Sequence, residues 1–92
     1  GSELGKAIGE HMDIEDRTRT AYVLEHNETD EISSWRNPDT ANYYKVKPTR
    51  TYHSNKGPCR EFTIDAQIAG KTQQLYGDAC RQIDGSWQMR TH

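Results

Sequence analysis

Ninety-two residues, only 32% of them apolar, allow one domain with a small core, and a mean hydropathy of −1.10 makes a covalent staple valuable. A formal net charge of −2 and a pI near 6.1 argue against a general nucleic-acid binder. No apolar run approaches the roughly 20 residues that a membrane-spanning helix needs.

The chain opens on Gly1-Ser2, which reads as an expression scar. Leu4, Ile8 and Met12 then recur every fourth residue, and Gly5 and Gly9 stand four apart. Small residues at that spacing let helices approach closely, but the apolar stripe is short and flanked by Glu3, Lys6 and Glu10, so a frayed terminal stretch is the expectation. Asp13 is placed to cap a helix running from Ile14 to about His26, with Glu15 and Asp16 against its positive end. Its inward face should use Ile14, Ala21, Tyr22 and Leu24. The stretch 27–34 is polar apart from Ile32 and reads as a loop; Trp35 follows, then the turn signal Asn37-Pro38-Asp39-Thr40. A strand is expected from Asn42 to Lys47, interrupted at Pro48 and resumed from Thr49 to His53, which makes it an edge or bulged strand. Ser54-Asn55-Lys56-Gly57 is the next turn.

The C-terminal third carries the clearest pattern. Phe62, Ile64, Ala66 and Ile68 alternate with Thr63, Asp65 and Gln67, and Ala69-Gly70-Lys71 turns the chain back. A two-residue Ala69-Gly70 loop sets Cys59 opposite Cys80, a non-hydrogen-bonded pair about 4.5 Å apart at Cα and within reach of a disulfide. Two cysteines so placed favour an oxidising compartment over two separate buried thiols. In this register Ile64 faces Leu75, Phe62 faces Gly77, and Glu61 faces Asp78. A type II′ turn at Gly70-Lys71 is the competing choice, and it moves the cysteines onto a diagonal. At the second turn, two-residue and three-residue loops around Asp84-Gly85 send Trp87 to opposite faces. The three-residue loop, with Gly85 in a left-handed bulge position, gathers Trp87 with Phe62, Ile64 and Leu75 and is preferred.

The run Cys59-Arg60-Glu61-Phe62, Gly70-Lys71-Thr72-Gln73, Tyr76-Gly77-Asp78-Ala79-Cys80-Arg81-Gln82 and Asp84-Gly85-Ser86-Trp87 resembles the C-terminal domain of the bacterial 17 kDa surface antigen family. Those proteins are Gram-negative outer-membrane lipoproteins. Gly5 and Gly9 resemble the tail of the family's glycine zipper, and Asp16-Arg17 the start of its following helix. Trp35, Asn37-Pro38 and Pro48-Thr49-Arg50-Thr51-Tyr52 also fall where its pattern expects them. Ile83 departs from a frequent proline, Ala41 from a frequent glycine, and Tyr43-Tyr44 is unusually aromatic. The resemblance implies a lipid-anchored envelope protein, on the periplasmic or the cell-surface side of the outer membrane, and supplies no catalytic residues. Residues 1–12 are then scar and zipper-like tail, and residues 13–92 a single soluble domain.

Catalytic signatures are missing from the sequence. His11, His26, His53 and His92 are scattered, which suits surface histidines better than a zinc shell. Bonded cysteines cannot act as nucleophiles, no serine sits in a recognisable elbow, and no Cys-x-x-Cys suggests redox work. No cofactor or metal site is expected. A binding surface fits better: Tyr43, Tyr44, Lys45, Lys47, Arg50 and Tyr52 interleave aromatic and basic residues, suiting an anionic glycan, an anionic lipid head group or an envelope protein. A lysine-protected edge strand explains the same residues without a ligand. The sequence therefore supports an α+β fold, an N-terminal helix on an antiparallel sheet of about four strands with the Cys59–Cys80 disulfide. The function it supports is that of a non-enzymatic domain of an outer-membrane lipoprotein. The alternative is a periplasmic inhibitor or chaperone-like module that binds a protein such as a lysozyme.

Overall fold

The computed structural model describes residues 11–89. Residues 1–10, to which the scar and most of the zipper-like tail are assigned, lie outside them. One helix, α1 (Ile14–His26), precedes strands β1 (Ser33–Arg36), β2 (Tyr43–Ser54), β3 (Gly57–Ile68), β4 (Lys71–Arg81) and β5 (Trp87–Met89). The strands form one antiparallel meander in the order β1-β2-β3-β4-β5. This corrects the expected α+β layout of about four strands: among the described residues, five strands against one short helix make a predominantly β fold. The missed strand is β1, whose Ser-Ser-Trp-Arg sequence has one apolar residue and no readable alternation. It exists because Ser33 to Arg36 pair with Val46 to Tyr43.

The β3–β4 register follows the cysteines. Cys59 faces Cys80, Phe62 faces Gly77 and Ile64 faces Leu75. Both loop residues have positive φ, Ala69 at 53° and Gly70 at 79°, which is the type I′ turn despite the alanine. Gly77 is required by packing: a Cβ there would stand 2.6 Å from Cε2 of Phe62. The last turn is the three-residue loop. Arg81 faces Trp87, Gln82 N–H donates to the Ser86 carbonyl at 2.7 Å, and Gly85 has φ 90°.

One face of the sheet is apolar and carries α1. Its core is Val23 and Leu24 of the helix with Trp35, Tyr44, Val46, Phe62, Ile64, Ala66, Ile68, Leu75 and Ala79, and the half-buried Trp87 packs against it. Each large apolar side chain buried there contributes about 1.5–3 kcal/mol. The helix boundaries match the expectation, but its inward face does so only in part. Ile14 and Tyr22 are 83% and 63% exposed, and Asp16 is fully buried. The helix is rotated because Asp16 is a tether. Its carboxylate accepts from Trp35 Nε1 at 2.9 Å and from Asn37 Nδ2 at 3.1 Å, while Asp13 and Asp16 close a reciprocal capping box. Leu24 is buried and Ala21 half-buried as expected, but a buried aspartate is invisible to a search for apolar periodicity, which puts Ile14 and Tyr22 on the wrong side.

At the other end of the helix the two Cys-Arg pairs explain themselves. Neighbouring strand residues point to opposite faces, so Cys59 and Cys80 meet on the outer face while Arg60 and Arg81 turn inward under the helix. Arg60 donates from Nη1 to the carbonyls of Leu24 and Asn27 and from Nε to Thr51 Oγ1. Arg81 pairs with Glu25 at 2.8 Å. Cations at the helix C-terminus meet its partial negative charge and satisfy carbonyls that the helix leaves open.

Candidate surface site on the outer sheet face

The face opposite α1 has no covering layer among the described residues. Its side chains alternate with the core residues, and a bulge sets which ones they are. The β2–β3 register shifts between Pro48 and Arg50, as the proline suggested. Before the shift Tyr43, Lys45 and Lys47 point outward; after it Arg50 and Tyr52 do, opposite Glu61 and Cys59. One extra residue thus gathers five of the six expected surface residues on one face. The sixth, Tyr44, is fully buried beside Trp35 at 5.6 Å, and its hydroxyl donates to the His11 carbonyl at 3.3 Å. Burial holds that phenol above its usual range. Tyr44 is therefore corrected to a core residue: strand alternation sends it inward between two outward neighbours.

The face has two electrostatic stripes. Arg36, Lys45, Lys47 and Arg50 line its β1–β2 side, and Glu61, Asp65 and Asp78 occupy β3 and β4. Arg50 bonds Glu61 at 3.2 Å and lies over the Tyr52 ring at 4.9 Å. The Tyr52 hydroxyl donates to Asp78 at 2.8 Å, Gln74 donates to Asp65 at 2.8 Å, and Arg36 lies 5.9 Å from the Tyr43 ring centre. Lys45 is exposed and Lys47 half-buried, and neither makes an ion pair among the described residues. Past Val46, where β1 stops, the rest of β2 is a sheet edge. The edge-strand reading thus fits only the second half of β2, where Lys47 is the one lysine; Lys45 pairs with Ser34 of β1.

At one end of this face Cys59 and Cys80 are disulfide-bonded with Cα atoms 4.0 Å apart, and both are buried. The cysteines therefore offer no thiol. His11, His26 and His53 are each exposed on separate elements, and His92 lies outside the described residues. Among the described residues no three His, Cys, Asp or Glu side chains are grouped to hold a metal, and no helix is long and apolar enough to cross a membrane. On the helix side an apolar cleft of about 260 Å³ lies between Met12, Leu24, Phe62, Leu75 and Trp87.

The profile of the 17 kDa outer membrane surface antigens matches residues 22–88, from the middle of α1 through the last strand. The chain belongs to that family. It is 43% identical over 87 residues to the 17 kDa surface antigen of Rickettsia bellii (strain RML369-C), covering 89% of this chain and 55% of that protein. It is 54% identical over 56 residues to the 17 kDa surface antigen of Rickettsia conorii (strain ATCC VR-613 / Malish 7), covering 60% of this chain and 35% of the relative. The antigen of Rickettsia prowazekii (strain Madrid E) is 52% identical over the same length. The chain thus spans about half the length, or less, of these relatives. No solved structure matches it.

Proposed function

We propose that this surface-antigen domain is the soluble, non-enzymatic part of an outer-membrane-associated lipoprotein and acts by binding an anionic envelope component on its outer sheet face. The observation that carries the reading is the face itself: a bulge aligns Tyr43, Lys45, Lys47, Arg50 and Tyr52, and two of its lysines have no ion-pair partner among the described residues. Family membership supports a surface-associated role. The disulfide fits an oxidising compartment such as the periplasm or the cell surface.

Binding to isolated Gram-negative envelope fractions tests the reading. Lys45→Glu with Lys47→Glu abolishes binding and leaves the circular dichroism spectrum and melting temperature unchanged. Binding by the unmodified domain weakens with added salt, because exposed charges are screened over about 8–10 Å at physiological ionic strength. Salt-insensitive binding that survives the double reversal overturns the reading in favour of an inhibitor-type protein interface.

A further inference from the structure

We propose that the centre of the outer face is a carbohydrate platform on which the Tyr76 ring stacks a pyranose unit of an acidic oligosaccharide. The inference rests on the reading of this face as the interaction surface and gives it a ligand class. Tyr76 is 76% exposed and stands mid-sheet, directly across from Thr63, which in turn faces Lys47. The other tyrosines have occupations. Tyr43 lies under Arg36, Tyr52 under Arg50, Tyr44 against Trp35 and Tyr22 against His26. On the outer sheet face Tyr76 is the tyrosine with no ring or cation contact among the described residues.

The surroundings of that ring are those a sugar needs. One face of a pyranose carries a patch of C–H groups that stacks on the electron-rich face of an aromatic ring. Its rim carries hydroxyls that must exchange hydrogen bonds with the protein. The Thr63 hydroxyl and the Gln74–Asp65 pair lie beside Tyr76 on the same face and offer both donors and acceptors. Strands are spaced about 4.8 Å apart, so the Lys47 backbone lies about 10 Å from that of Tyr76 with the small Thr63 between them. That trough holds a ring on the tyrosine and an acid group at the lysine.

The test titrates the domain with a galacturonic acid hexamer, and with inorganic phosphate and phosphatidylglycerol vesicles as anions without the sugar polymer. The hexamer binds and shifts the Tyr76 ring resonances. Tyr76→Ala, exposed and thermally silent, weakens it by about tenfold or more, a loss of roughly 1.4 kcal/mol of binding. Tyr76→Phe, which keeps the stacking face, retains affinity. Binding lost in the Lys45→Glu/Lys47→Glu variant but unchanged in Tyr76→Ala overturns the platform and leaves the basic-stripe reading standing. Binding indifferent to both sets of changes overturns both. Absence of hexamer binding at low salt, or vesicle binding tighter than hexamer binding, overturns the carbohydrate assignment.

Discussion

Single residues in this small domain carry tasks that larger cores spread over many. Asp13 and Asp16 cap the helix and share Asn37 Nδ2 between them, at 2.7 and 3.1 Å, and this ties α1 to the β1–β2 turn. The Asp16 backbone N–H and then the Asn37 amide hold the Asp13 carboxyl below the ordinary carboxylate range. A lowered carboxyl contributes stability above its unfolded pKa of about 4 and loses it as pH falls through the folded value. Asp13→Asn therefore melts lower than the parent at pH 7, and the gap closes as the pH falls through the lowered folded value. An unchanged gap would place the loss elsewhere. Ala69 gives a second prediction. It is held at φ 53°, a conformation that costs an L-residue roughly 1–2 kcal/mol. Ala69→Gly removes that strain at some cost in chain entropy and stabilises by about 0.5–1 kcal/mol in urea denaturation. Ala41 likewise has φ 61°, in the left-handed region that favours glycine.

Among the elements, the helix has a weak claim to stability of its own and is held from the sheet. Only Val23 and Leu24 are apolar residues it fully buries; the rest of its attachment is polar, through Asp16 at one end and Arg60 and Arg81 at the other. Arg60 is buried without a carboxylate partner in its hydrogen bonds, and burial pulls its pKa down from the arginine range. Arg60→Ala leaves two carbonyls at the end of α1 without their donor and costs about 2–3 kcal/mol. Hydrogen exchange localises that loss to the last turn of α1 and the following loop. Uniform loss across the sheet would mean that Arg60 supports the strands rather than the helix. The exposed pair Arg50–Glu61 contributes at most about 1 kcal/mol and mainly orients the outer face.

Across the fold, one sheet with one short helix among the described residues leaves a small core that the disulfide supports. The bond closes a sequence separation of 21 residues, for which chain entropy predicts about 3 kcal/mol. Urea denaturation with and without reductant shows this as a lower midpoint at an essentially unchanged initial fold signal. Non-reducing mass spectrometry shows about 2 Da less than the dithiol, the two hydrogens lost on bonding. Because the β3–β4 hairpin brings the cysteines together by its own turn, reduction weakens the domain without redirecting the strand register. Scrambled β3–β4 pairing in the reduced protein would reverse that order of cause, making the bond the source of the register.

The sequence by itself determined the hairpin register, the helix boundaries and the three-residue last turn. Each can be counted from one turn or cap: the Ala69-Gly70 turn sets Cys59 against Cys80 and Phe62 against Gly77, Asp13 caps the helix, and Gly85 closes the last loop at positive φ. It also placed the bulge of β2 at Pro48, although the strand runs on through the proline instead of breaking there. Only the tertiary structure decided that Asp16 turns inward while Ile14 and Tyr22 turn outward, because that depends on Asp16 reaching Trp35 and Asn37 in a part of the fold that no single turn registers against the helix. It likewise created β1, whose four residues become a strand only against β2. The candidate surface divided the same way. The alternating run from Tyr43 was legible, but Tyr44 turned inward, and a bulge brought Arg50 and Tyr52 to the outer face. Tyr76 was beyond sequence reading as part of that surface. It joins Lys47 and Thr63 only through the pairing of three strands, and sequence distance carries no trace of a neighbour made by a sheet.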